Sequence, residues 1–366
     1  MSKFDELIAE FCPDGVEYRK LKDVTEMQRG TSLTKKNATE GIYPVVSGGT
    51  EPAFYCDIYN RENETITVAG SGAGAGYVQY WNEPIFVCDA FSIKGKEDNL
   101  TKYIYYCLSN MQDKIFATKT GGGIPHVYIS SIENFVIPLP PLPVQQEIVR
   151  ILDNFTELTA ELTAELTARR KQYEYYRDLL LTFGDEVEWM ILSEIAEIGT
   201  GSSNTNEELE DGKYPFFVRS QEVRRKNTYE YDETAIITSG DGVGVGKIFH
   251  YVEGKYALHQ RAYRIHITDN RVIPKYYFYY MKSAFLPYIE KSSFHSSVTS
   301  IRRPMLNNFP VPVPPLKEQE RIVAILDRFD ALCNDLTSGL PAEIEARQKQ
   351  YEYYRDKLLS FKEVTA

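Results

Sequence analysis

Apolar side chains recur at alternating intervals of three and four residues along the middle of the chain. They are Ile148, Leu152, Phe155, Leu162, Leu166, Tyr173, Tyr176 and Leu180, with Thr159 and Arg169 at the two intervening steps. Residues 144–183 contain neither proline nor glycine. An average spacing of about 3.5 residues is typical of a helix that packs along another helix. The pattern therefore predicts one helix about 60 Å long, because each helical residue advances the chain by about 1.5 Å.

This helix is encoded twice. Residues 169–183 (RRKQYEYYRDLLLTF) match residues 347–361 (RQKQYEYYRDKLLSF). Upstream, residues 146–155 (QEIVRILDNF) match residues 319–329 (QERIVAILDRF) when the shared Ile-Leu-Asp is aligned. The repeat covers about half the chain, which indicates a duplicated protein rather than a solenoid of short repeats. The second copy is the expected packing partner of the first.

Each half also carries a globular region with strand signals. Residues 43–46 match 214–217, and β-branched runs at 65–69 and 234–238 lead into glycine-rich segments. These segments are 70–76 (GSGAGAG) and 240–247 (GDGVGVGK), each followed by a predicted strand. A phosphate-binding loop needs a following helix or the G-x-x-x-x-G-K-[ST] pattern. A tight strand–turn–strand connection is the better interpretation, since glycine adopts positive φ freely.

The order is globular region, long helix, globular region, long helix. Proline-rich stretches end each globular region, so the predicted domains are residues 1–142, 143–183, 184–316 and 317–366. The expected fold class is α+β, with two similar mixed α/β domains separated by two long helices. Ser338-Gly339-Leu340-Pro341 interrupts the second helix. Since proline is unfavourable inside a helix but favoured in its first turn, we expect a kink or restart near Pro341.

Composition restricts the class of protein. No apolar run approaches the ~18 residues that span a membrane, and the first residues lack the features of a signal peptide. The five cysteines form no C-x-x-C pair. These features predict a reduced, cytoplasmic protein without structural zinc. Methyltransferase and helicase motifs are absent from the sequence, so we expect no catalytic residue, no metal and no bound cofactor.

The layout strongly resembles the specificity subunit of type I restriction–modification systems, a host-defence family. The resemblance covers nearly the whole chain and is carried by ILDNF with KQYEYYRDLLL and by ILDRF with KQYEYYRDKLL. It implies two target-recognition domains, each for one half of a bipartite double-stranded DNA site. It also implies an antiparallel coiled-coil spacer, pseudo-twofold symmetry and docking of two methyltransferase subunits. Motor–nuclease subunits would join them, with S-adenosylmethionine, ATP and Mg²⁺ on the partners.

The same resemblance implies that the Thr-Ala-Glu-Leu units at 159–162 and 163–166 set the gap between the half-sites. The alternative is that these units are merely favourable helix formers.

Charge argues against a uniformly basic DNA-binding surface. The net charge is −11; residues 1–142 hold 13 Lys/Arg against 18 Asp/Glu, and residues 184–316 hold 15 against 17. DNA affinity requires neutralisation of phosphates, so we expect local clusters and contributions from partner subunits. The predicted DNA-binding residues are Lys35, Lys36, Ser71, Thr120, His126, Arg219, Ser220, Gln221, Arg224, Arg225, Lys226, Arg302 and Arg303. The alternative is that the basic runs are solvated faces and that the loop containing Thr120 is a mobile surface loop.

The aromatic motif on the helices has two expected roles. Tyr173, Tyr176, Tyr351 and Tyr354 lie on the seam and are expected to pack. The predicted partner-binding residues are Tyr175, Arg177, Tyr353 and Arg355, because aromatic residues and arginine suit protein interfaces. Two other functions stay open at this stage: an enzyme with an unrecognised site, and a coiled-coil adaptor without DNA readout.

Overall fold

The computed structural model describes residues 2–291 and 300–364. The chain forms two compact units. The first contains the residues up to Leu162 together with those from Ile344 onward, and the second is Thr163–Glu343. Both units are mixed α/β, as the sequence predicted.

The first unit contains three small sheets and short helices. Its strands are β1 (Glu17–Lys20), β2 (Thr25–Arg29), β3 (Tyr43–Val46), β4 (Tyr55–Cys56), β5 (Thr65–Ala69), β6 (Val78–Trp81), β7 (Phe86–Val87), β8 (Ala90–Gly95) and β9 (Val136–Leu139). Its short helices are α1 (Lys3–Phe11), α2 (Leu21–Val24), α3 (Thr101–Asn110), α4 (Gln112–Phe116) and α5 (Ile129–Ile132). The sheet orders are β2-β8-β5-β6, β4-β3-β7 and β1-β9.

The second unit repeats this order after α6 (Leu142–Leu180), the long helix that begins in the first unit. Its strands are β10 (Glu188–Ile191), β11 (Ala196–Thr200), β12 (Tyr214–Phe217), β13 (Arg224–Lys226), β14 (Tyr231–Ser239), β15 (Phe249–Leu258), β16 (Ala262–Ile267) and β17 (Pro310–Val313). The helices are α7 (Leu192–Ile195), α8 (Pro274–Lys291), α9 (Arg303–Asn307), α10 (Leu316–Asn334) and α11 (Leu340–Leu358), which ends in the first unit. The sheets are β11-β16-β14-β15-β12-β13 and β10-β17.

One difference separates the two sheet systems. In the second unit β15 is a single strand that pairs with β14 along its length and with β12 at its end. In the first unit the same path is divided into β6 and β7, with Pro84 between them. Proline cannot donate a ladder hydrogen bond, so it interrupts the strand and leaves two smaller sheets.

Buried side chains make hydrogen bonds at equivalent places in the two units. The hydroxyl of Tyr103 donates to the carbonyl oxygen of Pro138 at 2.9 Å, and that of Tyr276 donates to Pro312 at 3.2 Å. The buried amide of Gln319 accepts from the backbone of Ile273 at 2.8 Å and donates to the carbonyl oxygen of Pro314 at 2.8 Å. Because these side chains are buried, each partner satisfies a polar group that would otherwise be costly. The duplication therefore extends from sequence to individual contacts.

The long helices follow the predicted pattern. Ile148 and Leu152 are fully buried, and Phe155 stacks on Tyr354 in the first unit with ring centroids 5.4 Å apart. In the second unit Tyr176 stacks on Phe329 at 5.9 Å. The predicted restart is confirmed, because α10 ends at Asn334 and α11 begins at Leu340 with Pro341 in its first turn.

The cysteines are free thiols, four of them buried. Among the described residues, no helix combines the length and the apolar character needed to cross a membrane.

Candidate nucleic-acid interface

In the first unit, the glycine-rich loop between β5 and β6 lies against the segment around His126. The backbone of Gly72 donates to the carbonyl oxygen of Pro125 at 3.0 Å, and Val127 donates to Gly70 at 3.0 Å. Gly72 has φ of +81°, a value that disfavours other residues. Ser71 forms a β-bridge with His126 and donates from its hydroxyl to the Asp89 carboxylate.

Thr120 and His126 close the neighbouring loop. Their backbones exchange two hydrogen bonds, of 2.9 and 2.8 Å, so the three glycines between them form an exposed tip. Among the described atoms, none lies within 4 Å of a Cβ added at Gly122 or Gly123. The fold thus brings the predicted residue Ser71 against the loop that holds the predicted residues Thr120 and His126.

The second unit has the same loop pair with a different set of side chains. Ile301 donates to the carbonyl oxygen of Gly240 at 2.8 Å, and Asp241 forms a β-bridge with Ser300. Nη1 of Arg219 lies 2.6 Å from Oδ1 of Asp241, and Nη1 of Arg261 lies 3.3 Å from Oδ2. One carboxylate therefore holds two guanidinium groups from two further loops.

The electrostatics of this cluster are set by burial and by the two arginines. Burial raises the pKa of the Asp241 carboxyl, but the hydrogen bond and charge of Arg219, with those of Arg261, outweigh it and lower the pKa. Burial lowers the pKa of His259, and the same two arginines lower it further. The backbone of Arg261 donates to Nδ1 of His259 at 3.0 Å, which suits a neutral ring.

The predicted basic residues on β13 form ion pairs and hydrogen bonds with residues of their own unit. Arg224 pairs with Glu208, and Nε of Arg225 donates to the carbonyl oxygen of Gly212 at 2.5 Å. Lys226 donates to Ser203 at 2.7 Å and pairs with Glu207. These contacts tie the edge strand to residues 203–213. A role of this run in DNA binding stays a prediction.

The other predicted residues occupy several places. Ser220 uses its hydroxyl to donate to the carbonyl oxygen of Glu222 at 2.9 Å, and Gln221 is exposed. Lys35 and Lys36 are exposed on the 3-10 helix Lys35–Asn37. Arg302 is exposed and directly follows Ile301, beside the glycine-rich loop. Arg303 is directed elsewhere, since it donates to the carbonyl oxygen of Ile198.

The predicted partner-binding residues differ in exposure. Tyr175 and Tyr353 are 66% and 64% exposed, as expected for an outward face. The side chains of Arg177 and Arg355 are only 26% and 22% exposed. Each lies over the ring of the tyrosine one turn earlier and pairs with the following aspartate. The outward surface is therefore mainly tyrosine, and its partner role stays a prediction.

The second unit has a cavity beside the last turns of α6. It has a volume of about 790 Å³ and is bordered by Tyr176, Leu179 and Arg321, among others. In the first unit the position of Arg321 is held by Glu147, whose carboxylate is buried and bonded to Lys3 of α1 at 3.0 Å. Helix α1 thus covers in the first unit a surface that stays open among the described residues of the second.

The sequence patterns did not predict a role for Asp89, Asp241 or Arg261. Each is a single charged residue in a turn, without a neighbouring charge of its own sign. The aspartate inside Gly240-Asp241-Gly242 was the available signal, since an acid in a tight loop needs a partner. Within residues 2–291 and 300–364, no group of three or more His, Cys, Asp or Glu side chains is arranged to hold a metal ion.

Comparisons with known proteins all indicate the same family. Residues 13–169 and 184–346 match the family described as the type I restriction modification DNA specificity domain. The specificity subunit of the type I restriction enzyme EcoR124I/EcoR124II from Escherichia coli is 35% identical, with 94% of each chain covered.

Two solved structures share the fold. The S subunit of a type I restriction–modification system from M. genitalium superimposes with a TM-score of 0.69 at 20% identity, covering 94% of this chain and 96% of that one. A chain from a study of complex assembly and conformational transition of the type I R-M system gives 0.56 at 17% identity, with 95% and 98% covered. The family model matches both halves of the chain, and the Escherichia coli relative matches it over nearly its full length. With the repeated helices, these matches establish that this chain belongs to the specificity subunits of type I restriction–modification systems.

Proposed function

We propose that the chain recognises a bipartite double-stranded DNA target, one half-site for each unit. The observation that carries this proposal is the duplicated loop pair. In both units a glycine-rich loop is bonded to a second loop, and hydrogen-bonding side chains surround the junction. Such side chains recognise base edges, whereas contacts to phosphate supply affinity.

The chain supplies recognition, and other subunits supply the chemistry. Its loop side chains are bonded to one another, and the family model that matches it describes DNA specificity. Methyl transfer and cleavage then require methyltransferase and motor–nuclease subunits, which would carry S-adenosylmethionine, ATP and Mg²⁺. The complex would work where the host DNA lies, in the cytoplasm. Tyr175 and Tyr353 offer the methyltransferase subunits two equivalent aromatic surfaces.

A domain exchange tests independent recognition. Residues 17–139, from the start of β1 to the end of β9, are replaced by those of a relative with a different target. Methylated sites are then mapped in cells that express the hybrid with the methyltransferase subunits. The expected result is a change in one half-site only. A simultaneous change in both half-sites would contradict recognition by separate units.

Methyl transfer by purified proteins tests the division of labour. The chain alone is expected to transfer no methyl group and to bind DNA weakly, because its net charge is −11. With the methyltransferase subunits it is expected to direct sequence-specific transfer. Activity of the chain alone would favour an enzyme with an unrecognised site, and an active complex without sequence preference would favour an adaptor.

A further inference from the structure

The two units differ chemically at the cluster formed by Arg219, Asp241 and Arg261 in the second unit. Its three side chains come from three segments: the loop after β12, the glycine-rich loop and the turn between β15 and β16. Both guanidinium groups are bonded to the carboxylate through Nη1. The side chains of Arg219 and Arg261 remain 41% and 61% exposed, so both stay accessible to a ligand.

The backbone that carries the Asp241 carboxylate is held by hydrogen bonds. The carbonyl oxygen of Asp241 accepts from the hydroxyl of Ser239 at 2.9 Å. The preceding residue, Gly240, donates to the carbonyl oxygen of Arg261 at 2.9 Å and accepts from Ile301 at 2.8 Å. Gly242 follows with φ of +86°. Because these three hydrogen bonds hold the backbone, Asp241 offers its carboxylate to both arginines from a fixed position in the loop.

We propose that Asp241 positions Arg219 and Arg261 to recognise a guanine in the half-site bound by the second unit. This inference rests on the proposed function and adds the identity of a base. Arginine bonds O6 and N7 of guanine in the major groove with two parallel N–H groups. A guanidinium that is already held by a carboxylate loses less side-chain entropy when it makes such a contact.

Recognition of guanine fits these residues better than a contact with phosphate. Affinity for phosphate rises with uncompensated positive charge. Here a carboxylate lies between the two cations and removes one of their charges. The same carboxylate would repel an anionic oxygen nearby, whereas a base edge carries no net charge. The carboxylate therefore lowers the affinity of the cluster for phosphate and orients the two arginines.

The described residues of the first unit do not repeat this arrangement. Gly48 occupies the position of Arg219 when residues 43–46 are aligned with residues 214–217. Asp89 occupies the position of Arg261, because Gly70 donates to the carbonyl oxygen of Asp89 as Gly240 donates to that of Arg261. Asp89 accepts a hydrogen bond from Ser71. An acceptor suits the amino group of cytosine or adenine and does not suit O6 of guanine. The guanine preference is thus expected in one half-site only.

Methylation by the assembled complex on a target library tests this assignment. The half-site of the second unit is first identified by exchanging residues 188–313, and each position in it is then varied. Wild type is expected to require guanine at one position. Arg219→Ala, Arg261→Ala and Asp241→Asn are each expected to lower discrimination there by about 5- to 150-fold. The other half-site should be unaffected.

Two controls separate positioning from folding and from phosphate contact. Arg271→Ala removes a comparable arginine–aspartate pair, to Asp269 at 2.8 Å, near the opposite end of β16 and should leave base preference unchanged. Asp89→Asn should alter only the half-site of the first unit. Thermal unfolding of each variant establishes that it is folded.

The possible results are distinct. Equal weakening on all sequences in Arg261→Ala, with a smaller salt dependence, would indicate a phosphate contact and overturn the assignment. So would a bipartite target whose second half-site contains no required guanine. A wild-type complex without any bipartite preference would instead refute the proposed function.

Discussion

The hydroxyl of Tyr279 donates a 2.5 Å hydrogen bond to Oδ1 of Asp327. The first unit has the same contact, from Tyr106 to Asp153, again at 2.5 Å. In each case the tyrosine lies on the aromatic helix of the globular part, and the aspartate belongs to the Ile-Leu-Asp motif of the long helix. The motif that revealed the duplication therefore joins the globular part to the helix in each unit.

Removal of this hydroxyl is expected to destabilise the second unit. Tyr279→Phe should lower the free energy of unfolding by about 1–2 kcal/mol, because the Asp327 carboxylate loses a donor. Tyr277→Phe is the matched control: that buried hydroxyl has no hydrogen-bond partner among the described residues. It should be neutral or slightly stabilising. Denaturant unfolding measures both, and equal losses would show that the contact to Asp327 contributes nothing specific.

Glu147 predicts a dependence of stability on pH. Hydrogen bonds from Arg150 and then Lys3 lower the pKa of this buried carboxyl from 4.5 to about 2. A depressed pKa stabilises the folded state above about pH 4.5, and this contribution is lost as the pH falls toward 2. Both cations are largely exposed, so we expect about 1–2 kcal/mol.

The corresponding variant is Glu147→Gln. It should be less stable than wild type at pH 7, and the difference should shrink as the pH is lowered to about 3. Glu161→Gln, on an exposed part of α6, is the control and should show no such trend. A difference that stays constant with pH would mean that Glu147 acts through packing alone.

The outward tyrosines predict an effect on assembly. Tyr175→Ala and Tyr353→Ala should each weaken binding of the methyltransferase subunit without lowering the melting temperature, because both side chains are mostly exposed. Tyr173→Ala should instead destabilise the second unit, since that ring is buried against Phe329. Titration calorimetry and thermal unfolding distinguish the two effects. Unchanged affinity in both exposed variants would remove these residues from the interface.

The repeated tetrapeptide predicts a change in the gap between half-sites. Residues 159–166 lie inside one uninterrupted helix, and the boundary between the two units falls between Leu162 and Thr163. One further Thr-Ala-Glu-Leu unit after Leu166 would lengthen the helix by about 6 Å. That corresponds to one or two base pairs at about 3.4 Å each.

Mapping of methylated sites in the insertion variant measures this gap. We expect the same bases in both half-sites and a gap longer by one or two base pairs. An unchanged gap in an active complex would show that the tetrapeptides are only helix formers. Substitution of Thr163–Leu166 by another four-residue helical sequence is the control and should leave the gap unchanged.

Sequence alone predicted the elements whose signals are local. The 3.5-residue spacing identified α6, β-branched runs identified β5 and β14, and Pro341 identified the restart of α11. The two loop pairs were harder to predict from the sequence, because Ser71 meets His126 only through long-range strand pairing. The arginine cluster was not predictable for the same reason. Arg261 and Asp241 are twenty positions apart, and only the β14–β16 pairing brings their loops together.

The division of the chain between its units has a consequence for synthesis. The second unit is one continuous segment, Thr163–Glu343, whereas the first requires residues from Ile344 onward. Val16 exchanges backbone hydrogen bonds with Lys362 and Val364, and the hydroxyl of Tyr18 donates to the carbonyl oxygen of Phe361 at 2.9 Å. A ribosome that moves from the first codon to the last therefore completes the later unit first. The amino-terminal part must wait until the residues from Ile344 onward have been made, with the backbone of Val16 unpaired until then, before its fold can close.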